Sequence, residues 1–281
     1  MNWMKRRSAD DKSNAGRQCR SSAARTGMLA LVAGIAGIAV AGGADAAVIV
    51  TPNGDAGAYG GAASTAPFNG PFRYQQDYAA SQFGGSEFEI TEIAFRPANI
   101  QTAAFNATVP NMTVMLSLTG KGTTGGASGL SSTFANNPLG AQTTVFSGSL
   151  TFNSNPVGVP HGFDIVISLT TPFLYNPSEG NLLMEIDNQS AWDVSPGSQF
   201  GFLDFSINNS MARVYANGSA SSPNATAANA NDPGRGLVTE FVGEEVSVTE
   251  PSSMALLLVG FAAAAWRRRS CAGNYGDFCR Q

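Results

Sequence analysis

From Val48 to Glu250 the apolar residues recur at every second position, and that period decides what the chain can fold into. "MTVMLSL" puts Met112, Val114, Leu116 and Leu118 on one side and Thr113, Met115 and Ser117 on the other. "FDIVISL" repeats the pattern with Phe163, Ile165, Ile167 and Leu169, and "VFSGSLTF" with Phe146, Gly148, Leu150 and Phe152. Side chains alternate across a β-strand, so each segment reads as a strand with one buried face. Further strands are expected at 47–51, 88–95, 181–187, 200–207, 212–216 and 237–242. No window of a dozen residues in this region carries a helical stripe. Turn formers separate the strands, as in "TPNGDAG", "GKGTTGGASG", "NSNPVGVP" and "NPSEGN". About nine short strands predict an all-β, antiparallel two-sheet sandwich of jelly-roll type. A smaller immunoglobulin-like module is the alternative. The stretch 59–78 reads as loop-rich, and 217–234 as a long loop of small residues.

Two flanking segments stand apart from this domain. Residues 1–27 hold seven basic residues against Asp10 and Asp11, and an apolar run follows from Met28 to Ala41. Ala44-Asp45-Ala46 supplies small residues at the spacing of a signal-peptidase site. Residues 1–47 therefore read as a signal peptide with a long basic start, with Ala44 and Ala46 marking cleavage. At the other end, Met254 to Trp266 is uncharged. As a helix it would span about 20 Å, against a hydrocarbon core of about 30 Å. Pro251 bars the preceding residue from a helix, and Ser252 or Ser253 can cap one. Arg267, Arg268 and Arg269 would stop transfer and hold the cytoplasmic end. A helix too short for lasting residence suits a handle that is cut and discarded. The expected division is signal peptide 1–47, exported domain 48–246, sorting segment 247–270 with a transmembrane stretch at 254–266, and a cytoplasmic extension 271–281.

Charge follows the same division. Val48 to Glu250 contains 5 basic and 16 acidic residues, a net of −11, while the other 11 basic residues lie in the flanks. An acidic exported domain between basic flanks obeys the positive-inside tendency and excludes nucleic acid as a partner. Cys19, Cys271 and Cys279 all fall outside the domain, so no structural disulfide is expected there.

The chemistry on offer is thin. His161 is the one histidine, set beside Pro160 and Gly162 ahead of a strand. A serine triad would need it as the base, no G-x-S-x-G elbow exists, and a His/Cys zinc site lacks ligands. Glu87 with Glu89, and Glu185 with Asp187, pair acids at i and i+2, about 7 Å apart on a strand. A glycosidase uses such gaps, but the alternation fits a solvated outer face, with Glu92 nearby. Calcium is the cofactor option, from Asn53 and Asp55 or from Asp204 near "INNS"; no loop follows the EF-hand spacing, so no metal ligand is assigned. Tyr59, Phe68, Phe72, Tyr74 and Tyr78 cluster. Core burial is their plain reading, and a platform for sugar rings of an extracellular polysaccharide the sharper one. No catalytic residue is assigned.

The tail "TEPSSMALLLVGFAAAAWRRR" resembles the PEP-CTERM sorting signal of Gram-negative bacteria. Glu250 and Pro251 match the last two residues of the Pro-Glu-Pro, and Thr249 stands where the first proline would be. The extension "SCAGNYGDFCRQ" is a second departure. The resemblance implies an exosortase-type processing enzyme as partner and transient contact with the membrane. It also implies export through the inner membrane to the cell surface or beyond. Stretches such as "RYQQDYAASQFGG" and "PFLYNPSEGNLLMEI" are similar to domains carried by such proteins, without an activity attached. The expectation is a non-enzymatic cell-surface or extracellular-matrix protein. A carbohydrate- or calcium-dependent binding module is the alternative, and a secreted glycoside hydrolase a remoter one.

Overall fold

The computed structural model describes residues 46–189, 193–194, 202–226 and 232–246. These residues form twelve strands and no α-helix. In chain order they are β1 (Ala46–Thr51), β2 (Gly61–Ser64), β3 (Phe72–Tyr78), β4 (Glu87–Phe95), β5 (Phe105–Thr119) and β6 (Thr143–Ser154). Then come β7 (Ile165–Tyr175), β8 (Asn181–Asn188), β9 (Asp193–Val194), β10 (Leu203–Asn217), β11 (Asp232–Leu237) and β12 (Thr239–Val246). The smaller sheet has the order β1-β12-β4-β7; the larger has β11-β10-β3-β8-β5-β6, with β2 beside β10 and β9 beside β5. All pairings are antiparallel.

Four pairings explain the connectivity: β1 with β12, β3 with β8, β4 with β7 and β5 with β6. Together they form one long antiparallel hairpin, its first strand paired with its last, rolled so that alternate pairs fall in opposite sheets. This is a jelly roll. The hairpin β10–β11 is inserted between β8 and β12 and widens the larger sheet on the side of β3.

The inward faces build one core. Tyr74 and Tyr78, Met112, Val114 and Leu116, and Leu182, Met184 and Ile186 come from the larger sheet. Phe88, Ile90, Ile93, Phe95, Ile165, Ile167 and Phe241 meet them from the smaller one. Tyr78 stands edge-on to Phe241 at 5.0 Å, and its hydroxyl reaches Thr239 Oγ1 at 2.9 Å. In β6 the alternation holds from Phe146 to Phe152. A register shift there passes over Val145, which is also buried.

Three segments depart from the sequence expectation. The stretch 59–78 contains β3, a central strand of the larger sheet. "FRYQQDY" hides it because polar groups lie on both faces. Gln76 turns inward and holds the backbone of Leu237 with two bonds, 2.8 and 3.0 Å, while Gln75 turns outward to other side chains. The expected strands 200–207 and 212–216 are one strand, β10, whose register against β11 shifts between Ile207 and Ala212. The expected strand 237–242 is broken at Val238, where the chain passes from the larger sheet to the smaller. Asp232 to Leu237 form β11, so the small-residue loop expected to end at 234 is shorter.

Candidate functional site

Jelly-roll pairing fixes where the two ends of the domain emerge. β1 and β12 run side by side with Ala46 opposite Glu244, and Val246 lies opposite Glu87 of β4. The start of β1 and the end of β12 therefore share one end of the smaller sheet. Glu87, Glu89 and Glu244 lie on its outward face, with Glu89 directly opposite Glu244. Like charges so placed repel. Glu87 accepts a bond from Asn176 Nδ2 at 3.1 Å. Farther along, Glu240 is pushed up from the usual carboxylate range by burial and by Glu92, against the pull of Arg96. This face is the acidic outer strand surface that the alternation implied for Glu87, Glu89 and Glu92.

Glu185 and Asp187 have a different setting, and the expectation of a solvated face is corrected for them. They lie on the outer face of the larger sheet, which the segment 120–142 between β5 and β6 crosses. Leu130 and Phe134 from that segment pack with Leu183, Ala212, Val214 and Ala216 into a second apolar cluster. Glu185 is fully buried. Its Oε1 accepts from Arg73 Nε at 2.6 Å, and its Oε2 from Gln75 Nε2 at 2.6 Å and Gln142 Nε2 at 2.8 Å. Asn137 fastens the strap by donating to Gln75 Oε1 at 2.7 Å, while its carbonyl accepts from Thr119 Oγ1 at 2.6 Å. Every oxygen of Glu185 is thus occupied within the protein. Asp187 lies next to it, raised to about 7 by burial and by the Glu185 charge, partly offset by Arg73. Asp77, on the same face, is fully buried and neither of its oxygens has a hydrogen bond of good geometry, with the Ala212 amide and the Asn181 side chain only loosely aimed at it. Desolvation raises its pKa to about 7, with Ala212 and Asn181 pulling the other way.

At the other end of the sandwich Arg96 and Asp204 are both 1% exposed. Asp204 accepts from Arg96 Nε at 2.7 Å and from the Gly60 amide at 3.0 Å. Arg96 Nη2 also donates to the carbonyls of Asp55, at 2.8 Å, and Ala58. Asp55 and Asp204, named above as calcium candidates, are therefore gathered around a guanidinium. Among the described residues no group of three or more acidic, His or Cys side chains is arranged to hold a metal. His161 is 8% exposed and stands edge-on to Tyr59, 5.5 Å between ring centres. Neither of its ring nitrogens has a partner. Phe68, Phe72, Tyr74 and Tyr78 are all core residues, so the proposed sugar platform is not formed by them.

Of the residues assigned to processing, Ala46 opens β1. Ala44, Thr249, Glu250, Pro251, Arg267, Arg268 and Arg269 lie outside the described residues, as do the 254–266 stretch and the three cysteines. Among the described residues no helix is long and apolar enough to cross a membrane.

Fold and ends together define an all-β sandwich with an addressed C-terminus. A family model for the PEP-CTERM protein-sorting motif matches residues 247–269, beginning one residue after β12 ends. That motif implies export, membrane-associated sorting and processing by an exosortase-type enzyme. No curated protein and no solved structure matches the chain.

Proposed function

We propose that this chain is a non-enzymatic β-sandwich protein of the cell surface or extracellular matrix, delivered there by its C-terminal signal. The position of the sorting motif carries this reading: it begins directly after the last strand of a jelly roll. Removing the tail there would spare every backbone pair of β12. The tail's hydrophobic stretch holds the chain in the membrane until processing near Thr249, Glu250 and Pro251, with Arg267 to Arg269 on the cytoplasmic side. The N-terminal signal is removed after Ala46, so that the mature chain starts at Ala47 or Val48, within β1. The mature β1 pairs along β12, with Ala47 opposite Gly243 and Val48 opposite Val242.

Mass spectrometry of the C-terminus of the surface protein tests the reading. Pro251→Ala, or replacement of Arg267 to Arg269, should leave the tail unprocessed while the unfolding midpoint of the sandwich stays unchanged. Recovery of an intact Trp266 and Cys279 on the surface-located protein would overturn it.

A further inference from the structure

The β5–β6 pair presents a surface that the sorting reading does not use. Along β6 and just beyond it, Ser147, Ser149, Thr151, Asn153 and Asn155 alternate with inward residues and are all exposed. Their β5 neighbours in register add Asn106 opposite Asn153, Thr108 opposite Thr151 and Thr113 opposite Ser147. Hydroxyls meet across the strands at 3.0 Å for Thr108 and Thr151 and 3.5 Å for Thr113 and Ser147. Neither strand contains a charged residue or a histidine. Same-face neighbours are about 7 Å apart, so the strip from Ser147 to Asn155 runs about 26 Å. It ends in a groove of about 270 Å³ lined by Ala104, Phe105, Asn106, Asn153, Ser154 and Asn155. Asp164 stiffens this groove: its Oδ2 accepts from Ser154 Oγ at 3.0 Å and from the Asn155 amide at 2.8 Å. Its Oδ1 is buried and has no partner.

We propose that this strip and its terminal groove bind a neutral polysaccharide chain. Every exposed side chain on the strip can both donate and accept a hydrogen bond, as sugar hydroxyls do. The groove joins amides to an apolar wall, the combination that orients a sugar ring. A polyanion would find no cation on the strip and would be repelled by the acidic stretch from Val48 to Glu250, net −11. A lipid or an apolar protein surface would find little to bury. The site deepens the matrix reading and rests on it for its biological sense. It is tested on the purified chain, so failure to bind would leave tail processing standing, and an unprocessed tail would leave the strip standing.

The test is electrophoresis of the full-length protein through native gels containing dextran, galactomannan or alginate. At least one of the two neutral polymers should retard the protein, and alginate should not. The triple variant Asn106→Ala/Asn153→Ala/Asn155→Ala should weaken retardation at least fivefold. Glu89→Gln, on the outer face of the smaller sheet, should leave it unchanged. Far-UV circular dichroism checks the fold. If the triple variant is unfolded, Ser149→Ala/Thr151→Ala takes its place and should weaken retardation at least twofold. Passage through both neutral gels without retardation, equal retardation of a folded strip variant, or retardation by alginate alone would overturn the proposal. So would a dimer, seen by sedimentation, that the strip variant abolishes, because the strip would then be an interface between two copies.

Discussion

Arg96 donates through Nε to Asp204 Oδ2 at 2.7 Å, with both side chains 1% exposed and the Gly60 amide completing the carboxylate. The pair ties the end of β4 to β10 and so joins the two sheets. Removing one partner of a buried pair strands the other, which costs about 3–5 kcal/mol. Arg96→Met should lower stability in urea by that order at neutral pH. Burial already raises the Asp204 pKa, with Arg96 opposing it. Without Arg96 it rises further, so the defect should shrink as pH falls to about 4, where the folded variant's carboxyl is neutral and the unfolded one begins to protonate. A defect equal at pH 4 and pH 8 would show that packing, not charge, sets its size.

Asp77 should make the sandwich less stable as pH rises. Its folded pKa of about 7 lies above the ordinary 3.8, so the folded state binds the extra proton between those values. Stability from this group is intact below about pH 4 and is lost progressively up to about pH 7. Asp77→Asn removes the titration at nearly constant shape. It should raise stability at pH 8 by an amount on the order of 4 kcal/mol and change it little at pH 4. Paired denaturation curves at the two pH values provide the check.

Gly243 sits where β12 shifts register against β4, and a Cβ there would run into the Glu89 carbonyl and crowd the Phe88 ring. The obstacle is backbone and cannot swing away. Gly243→Ala should therefore cost about 2–3 kcal/mol. Val242→Ala, on the outward face next to it, should cost less. Thermal melts of the two variants separate the contributions.

Much of the architecture was legible in the alternation of residues such as Met112, Val114 and Leu116, because a strand with one buried face writes its period into the sequence. β3 was not legible. Gln75, Gln76 and Asp77 occupy its centre, and what buries them comes from distant parts of the chain: Leu237 on one face, Asn137 and Phe134 on the other. The same strap turned Glu185 from an expected surface acid into a buried one. No local pattern reveals which loop will fold back over a sheet.

The sequence alone determined that the domain is β and that its C-terminal address lies beyond the last strand. Both are local properties, one a period of two and the other a linear motif read residue by residue. Tertiary structure decided that the two ends leave side by side and that Arg96 bonds both the Asp204 carboxylate and the Asp55 carbonyl. It also decided that Phe68, Phe72, Tyr74 and Tyr78 are core, and that hydroxyls and amides of β5 and β6 line up on one face. Each of these depends on register and crossing between segments up to some two hundred residues apart, set by how the long hairpin rolls to bury its apolar faces.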